Sequence, residues 1–506
     1  MGADISRAEI GALLALAQDH AFAQPAGSQL RATVLGQELA AVAGAEAAER
    51  GATWWTSALR FLGCTGHAFD MAVVFGDEIE MRAESMQADF ANPFDMMRLM
   101  VTHAGPATSG VARIRSILAV LAGGKKAAEM NFRSACEVAD VFAKRLDLDE
   151  DVRTALATSF ERWNGRGLPT GMKGESIPRP MRIAQLSQEL EVLARIEGID
   201  RALATIRKRR GKAYDPVLTD LVLGHAPAWW DVIEPLDPWD AALERAPSGR
   251  SLDADATRES FLVLADFSDL KSPWLGGHSR SVARLVAEAC GPAAEMAALL
   301  HDLGRVAVPN TVWDKPGPLT RDERDRAEMH ALVTDQLLRR LPFTRSLADV
   351  ASAAHERLDA SGYHRRLGAA HLDDAHRVLA AADCYQAMVS ERPHRGALGR
   401  DQAAIELRAM SADGRLDGEA VERVLVAAGH RRTARTVLPA GLTAREAEVL
   451  RLLALGLTTR QVGERLVISA KTADHHVQHI YAKIGVSTRG AAALFAIEHG
   501  ILTTDS

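Results

Sequence analysis

Aromatic residues make up only 5% of this chain, and its four cysteines, Cys64, Cys136, Cys290 and Cys384, form no CxxC pair. That scarcity excludes a disulfide framework and a thiolate zinc cluster, and it reads the cysteines as reduced packing residues. No run approaches the ~20 apolar residues that a membrane span needs. The stretch from Met1 to Ala17 contains Asp4 and Glu9 and only a short apolar run, unlike a secretory signal. The expectation is a cytoplasmic protein with no membrane attachment. Excess positive charge is missing too. A net charge of −6 excludes a uniformly basic nucleic-acid coat and confines any DNA contact to one module.

What is present is a chain of 506 residues, too long for a single core and suited to about three domains. Its apolar and charged fractions, 47% and 25%, are those of an ordinary globular protein. Apolar residues recur at three- and four-residue steps through Arg31 to Val42, Arg113 to Leu121, Val138 to Leu146 and Val282 to Ala289, while period-two alternation is nearly absent. The predicted fold class is therefore all-α. Basic, Gly- and Pro-containing breaks divide it into a first domain over residues 1–215, a linker region over 216–254, and a second domain over 255–430. A linker over 431–441 and a terminal module over 442–506 complete the division. A segment rich in Met and Phe, from Met71 to Met100, interrupts the first domain and reads as core helix packing.

The first two domains carry the same phrases. The second contains GHSRSVARL from Gly277, LLHDLGR from Leu299, EMH ending at His330, HERLDASGYH from His355 and AADCYQAM from Ala381. The first contains ALRFLGC from Ala58, SAC from Ser134, FERWNGRGLPTGMKGESIP from Phe160 and MRIAQLSQEL from Met181. Phe160 to Gln188 is the same separation as His355 to Asp383, and Ala135 falls opposite His330. Between the copies the chemistry differs. His301 and Asp302 correspond to Arg60 and Phe61, His330 to Ala135, His355 to Phe160, and Asp383 to Gln188. The first copy has nothing there to hold a cation, and its two Phe predict a cavity filled by apolar packing.

In a chain with seventeen histidines, a lone His-Asp pair is weak evidence for a metal. Here His301 and Asp302 close an apolar helical run, where neighbouring side chains, about 100° apart in direction, both reach one cation. Imidazole nitrogen mixed with carboxylate oxygen suits Mn, Fe, Mg or Zn, and a carboxylate can bridge two ions. The order His278, His301, Asp302, His330, His355, Asp383 strengthens the case, each residue standing in its own helical phrase.

These blocks resemble the HD superfamily of metal-dependent phosphohydrolases, and in particular its HD-GYP branch. That branch reads approximately HHExxDGxGYP and then AD-x-(Y/F)-(D/x)-A-M. This chain has AHERLDASGYH from Ala354 and ADCYQAM from Ala382, and the resemblance covers most of residues 270–390. It implies two HD-type helical domains in tandem, the first degenerate. His278, His301, Asp302 and Asp383 would form one metal site, with Asp302 bridging to a second completed by His330 and His355. Asp302 and Arg305 would be the catalytic pair. Four departures stand out: Ala354 replaces a histidine, Arg305 a lysine, Ala360 a glycine and His364 a proline. The resemblance therefore implies one well-held divalent ion and a weaker second, and leaves hydrolysis open. His364 is either a substitute ligand or a loop residue.

From Leu442 onward, turn signals and apolar spacing predict four short helices, about 444–455, 459–466, 470–484 and 488–499. Thr443, Thr458 or Thr459, and Ser469 are the expected starts, and Gly485 a stop. A third helix exposing Lys471, His475, Gln478 and His479 while turning Ala473, Val477, Ile480 and Ile484 inwards has a helix-turn-helix layout. The segment resembles the LuxR type of DNA-binding domain, carried by Glu446, Leu450, Gly456, Ser469, Thr472, His476, Lys483 and Gly485. The resemblance implies double-stranded DNA as partner, with Lys471, Thr472, His475, Gln478 and His479 on the groove-facing helix and Lys483, Ser487 and Arg489 on the DNA backbone. It also implies a homodimer paired through the fourth helix. The combined expectation is a transcriptional regulator whose HD-type domains sense or process a phosphorylated small molecule or nucleotide. The rival readings are a phosphohydrolase, possibly acting on cyclic dinucleotides, with an attached DNA-binding module, and a helical scaffold stabilised by metal.

Overall fold

Proline placement decides where several helices of this chain begin, and it changes the domain picture. The computed structural model describes residues 5–89, 92–103, 110–249, 251–429 and 438–502. Among them there is no β-strand, only isolated bridges, and the fold is all-α. No helix among the described residues is long and apolar enough to cross a membrane. Two compact units part between Thr257 and Arg258.

The first unit is built on α1 (Arg7–Ala21), α2 (Ser28–Val42), α3 (Ala47–Ala58), the long α4 (Gly110–Arg145) and α5 (Arg179–Glu197). Ser6 opens α1 through a capping box with Glu9, satisfying two free amides at once. Helix α2 lies against α3 and α5 over a core that holds Trp54, Leu35 and Ile183 fully away from water. Residues 216–254, expected as a linker, instead form α6 (Pro216–Ile233) and α7 (Pro238–Glu244), both packed on α2. Each has Pro at its first position and Asp just before it. Asp215 accepts from the Val217 amide at 2.8 Å and Asp237 from the Trp239 amide at 2.9 Å. The Pro and Asp content that suggested a connector is a helix-start signal. The Trp54 indole N–H donates to the Ala242 carbonyl at 2.8 Å, which ties α7 into the core.

At the positions matching Asp302 and His355 of the second copy, the first unit packs rings. Phe61 lies 4.6 Å from Phe22 between ring centroids, and Phe160 lies 4.3 Å from Phe132. Apolar contact occupies this space, as expected from the two substitutions.

The second unit contains α8 (Ala254–Asp269, most of it), α9 (His278–Cys290), α10 (Pro292–Leu300), α11 (Arg321–Leu338), α12 (Asp374–Val389), α13 (Arg400–Ala412) and α14 (Gly418–Ala427). It also holds the terminal module: α15 (Ala444–Ala454), α16 (Thr459–Leu466), α17 (Ala470–Ile484) and α18 (Arg489–Glu498). Of the expected connector 431–441, residues 431–437 lie outside the described residues. The module's caps are those the sequence signals. Thr443 and Thr458 form capping boxes with Glu446 and Gln461, Ser469 caps α17, and Gly485 ends it in the left-handed conformation that favours glycine.

The two copies share their loop construction. Asn164 bridges Lys173 in the first and Asp359 bridges Gly368 in the second, at matching positions. A buried glutamate clamps each loop. Glu161 accepts from the Thr170 amide at 2.7 Å, and Glu356 accepts from the amides of Arg365 and Leu367, both at 2.8 Å.

Candidate functional site

Helix α10 ends at Leu300, and the chain then tightens into a 3-10 turn, Leu303–Ala307, which leaves His301 and Asp302 at the junction. Gly304 within that turn rests on α11, where a side chain would meet backbone: a Cβ would lie 2.0 Å from the His330 carbonyl oxygen. The Gly304 amide donates to Thr334 Oγ1 at 2.9 Å, and that hydroxyl donates in turn to the His301 carbonyl at 3.3 Å. This close approach brings α11, with His330, to Asp302. His278 is the first residue of α9, Asp383 lies in α12, and His355 enters from the loop after Ala351.

Six predicted residues converge as two abutting groups. His278, His301 and Asp383 form one, and Asp302, His330 and His355 the other; within each, one ligand atom per residue lies within 4.8 Å of the others. Asp302 reaches both. Its Oδ2 is 3.0 Å from His301 Nε2 and 3.4 Å from His278 Nε2, and its Oδ1 is 3.6 Å from His330 Nε2 and 3.9 Å from His355 Nε2. Asp383 is 3.1 Å from His278 Nε2 and 3.4 Å from His355 Nδ1.

These residues fit a divalent cation by their own hydrogen bonding. His301 Nδ1 donates to the Ala298 carbonyl at 2.7 Å and His330 Nδ1 to Ala327 at 2.5 Å, which leaves each Nε2 facing the cluster. Those two Nε2 atoms, His355 Nε2 and both carboxylate oxygens of Asp302 are buried without an aligned hydrogen-bond partner. Unsatisfied buried polar atoms are costly, and five aimed at one place make a ligand set. Burial alone would lower the His301 imidazole, yet Asp302 and Asp383 raise it to about 10. Burial opposes ionisation of Asp302 and Asp383 as well, but their neighbours hold both carboxyls well below their usual range, the Arg305 guanidinium leading for Asp302 and the His355 ring for Asp383. Burial, with the neighbouring His355, pushes His330 down to about 3, leaving it neutral and able to ligate.

Arg305, 5% exposed, sits 2.9 Å from Asp302 Oδ2. Ala354 is buried where the family pattern has a histidine, and His364 belongs to neither group; the charges around it are Arg365, Asp335, Glu356 and Arg339. Several residues here were not singled out from the sequence. The Tyr363 ring stacks on His355 at 4.8 Å, and Trp313 meets His330 edge-on at 5.3 Å with the Arg305 guanidinium over its face at 5.1 Å. A cavity of about 510 Å³ opens from His355 and Asp383 and is lined by Arg305, Arg357 and Arg395. The GY pair in the loop phrase was a signal for Tyr363. Trp313, Arg357 and Arg395 carry no local signal, because only the folding of distant segments brings them here.

In the terminal module, Lys471, Thr472, His475, Gln478 and His479 line the exposed side of α17, while Ala473, Val477 and Ile480 are buried. The His475 and His479 rings lie 4.6 Å apart. Lys483 and Arg489 are engaged within the module. Lys483 Nζ pairs with Glu446 Oε2 at 2.7 Å, and Arg489 donates to the carbonyls of Leu453 at 2.8 Å and Leu457 at 3.1 Å. The Lys483 partnership holds the Glu446 carboxyl down at about 2. Ser487 is exposed in the turn before α18.

Comparison with known proteins matches this architecture. The HD domain family matches residues 129–218 and 263–420, and the family of bacterial regulatory proteins of the luxR type matches residues 440–496. A 3'3'-cGAMP-specific phosphodiesterase 3 of Vibrio cholerae serotype O1 is 29% identical over 366 residues, covering 69% of this chain and 79% of that protein. A cyclic di-GMP phosphodiesterase of Thermotoga maritima is 34% identical over 119 residues, 23% of this chain and 32% of the relative. The crystal structure of a cyclic GMP-AMP-specific phosphodiesterase of V. cholerae shares the fold, with a TM-score of 0.58 at 24% identity, covering 84% of this chain and 98% of the other. The chain thus carries HD domain sequence over residues 129–218 and 263–420, followed by a DNA-binding domain of the luxR regulatory family over residues 440–496.

Proposed function

We propose that this protein is a DNA-binding transcriptional regulator whose second HD-type copy binds divalent metal and a phosphodiester-linked nucleotide, and passes that occupancy to the luxR-type reader. One observation carries the reading: two buried triads sharing Asp302 open into an arginine-lined cavity. Two adjacent groups of imidazole and carboxylate suit a metal pair, and the arginines suit phosphate oxygens. Cyclic dinucleotides, named for the V. cholerae and T. maritima relatives, are the substrate class we assign. Bound divalent cations would supply Lewis acidity toward a phosphoryl oxygen.

The chain's own residues do the remaining work. His278, His301 and Asp383 would hold the first cation, and His330 and His355 the second, with Asp302 between them. Arg305 steadies Asp302 and adds a fixed positive charge at the cavity wall. Tyr363 and Trp313 cover the second triad and exclude water from it. Lys471, Thr472, His475, Gln478 and His479 would enter the major groove. Pairing of two chains on two half-sites in the cytoplasm belongs to the same reading.

Hydrolysis of the bound ligand is the second reading, and the shared Asp302 favours it. Ala354 removes one imidazole from the second triad, which supports ligand sensing over rapid turnover. Metal analysis of the purified protein tests both readings. A joint His301→Ala, Asp302→Ala change is expected to strip the metal. Stoichiometric metal in that variant would overturn the site, and release of mononucleotide from a cyclic dinucleotide by the wild type alone would establish turnover.

A further inference from the structure

The fourth helix of the reader is buried on two opposite faces. Ala492 and Ala496 of α18 belong to the reader's own core. A step of about 100° per residue puts Gly490, Leu494 and Ile497 on the other side. In a lone four-helix module that side would face water. Here Leu494 is 0% exposed and Ile497 2%. At Ile497 the HD-type part of the same unit supplies cover. A Cβ on Gly276 would lie 2.3 Å from Leu502 Cδ1 and 3.6 Å from Ile497 Cγ1, and one on Gly456 would lie 3.1 Å from Pro273 Cγ. At the rim, Arg465 of α16 pairs with Glu391 at 2.8 Å.

Both covering segments run directly into the metal-binding region. Gly277 is the cap of α9, whose first residue is His278. Glu391 precedes Arg392, whose guanidinium senses the charges of Arg305, Asp383 and Asp302. The contact is close as well, because a methyl group on Gly276 would force the Leu502 side chain to turn aside. Packed interfaces of this kind respond to sub-ångström shifts by repacking rather than by deforming.

We propose that the loop Pro273–Gly277, together with Glu391, is a docking surface for the outer face of α18, and that occupancy at His278 alters this docking. The partner is the chain's own reader. In the docked arrangement the groove-facing side chains of α17 stay exposed while the outer face of α18 is covered. The platform therefore competes with any second protein that would use α18, including another copy of the reader. The coupling half of this inference rests on the proposed metal site; the docking half does not.

Hydrogen exchange on the full chain tests it, with manganese(II) alone as probe and bound metal measured separately by elemental analysis. Gly276→Val should wedge Leu502 away and raise exchange across residues 489–502 by about threefold or more. Leu502→Ala, which cannot overpack, should do the same to a smaller extent. Arg465→Glu should loosen the rim, and adding Glu391→Arg should restore it. Wild-type exchange in the same segment should change when manganese binds, and in Gly276→Val it should not. Unchanged exchange in all three single variants would overturn the docking surface. Manganese that binds without altering residues 489–502 would overturn the coupling while leaving the metal site intact. Failure of manganese to bind at all would overturn the metal site and the coupling together.

Discussion

Gly304 touches the backbone of α11 beneath His330 so closely that a Cβ would lie 2.0 Å from the His330 carbonyl oxygen. The first copy repeats the contact between Gly63 and Ala135, where the corresponding distance is 1.8 Å. The approach of turn to helix has thus outlived the ligands in the copy that lost them. It belongs to the fold, and the second copy uses it to bring Asp302 within reach of His330.

Gly304→Ala should therefore damage stability and the metal centre together. Forcing a methyl group against backbone should cost about 3 kcal/mol or more and part the two triads. Thermal unfolding reports the first effect and metal content the second. A variant with normal melting and normal metal would show that the contact is slack.

Glu356 clamps the loop that carries Tyr363 over His355. Glu356→Ala leaves the Arg365 and Leu367 amides without their acceptor, a loss of about 2 kcal/mol. Metal affinity should fall by about tenfold, the effect expected of a residue that positions a ligand. Calorimetric titration with manganese measures it, and circular dichroism should show the helices unchanged.

Glu446 and Lys483 give the reader an acid-sensitive joint. The folded carboxyl is held at about 2, below the ~4.3 of a free glutamate. A depressed carboxyl stabilises the fold above the unfolded value, and that contribution is lost as pH falls through the folded one. Exchange protection of α17, corrected for intrinsic rate, should decline in the wild type as pH drops below ~4.3. In Glu446→Gln it should begin lower and stay flat. Lys483→Met should cost about 1 kcal/mol at neutral pH, visible as faster exchange before any loss of DNA binding.

Lys471 and His479 lie on the exposed side of α17. Lys471→Ala combined with His479→Ala should abolish binding to duplex DNA at physiological salt and leave metal content unchanged. Lys471→Ala alone should reduce the salt dependence by about one phosphate contact. Fluorescence anisotropy across a salt series reads both. Full binding by the double variant would move the interface off this helix.

Much of this was legible because it is local. The helix starts at Thr443, Thr458 and Ser469 and the stop at Gly485 depend on side chains within three residues of the backbone groups they satisfy. The candidate metal ligands were legible by kind and order, since imidazole and carboxylate stand in recognisable phrases. Composition misled at residues 216–254, where Asp215-Pro216 and Asp237-Pro238 resemble a connector but begin helices. The same residue types serve both, and only the apolar face that follows, packed on α2, separates them. The resemblance to the LuxR type implies Lys483 and Arg489 as DNA-backbone contacts. The fold also supplies each with a partner more than thirty residues away in the chain, which no local pattern records.

By itself, the sequence determined the helical class, the duplicated phrases with one set of ligands removed, and the reader with its caps. These follow from periodicity, short-range hydrogen bonding and side-chain chemistry. Tertiary structure alone decided that Tyr363 and Trp313 cover one of the two triads, and that Arg305, Arg357 and Arg395 share a cavity wall. It also decided that the outer face of α18 rests on Gly276. Each of these depends on how closely two distant backbones approach, a distance set by packing across the core that no local pattern records.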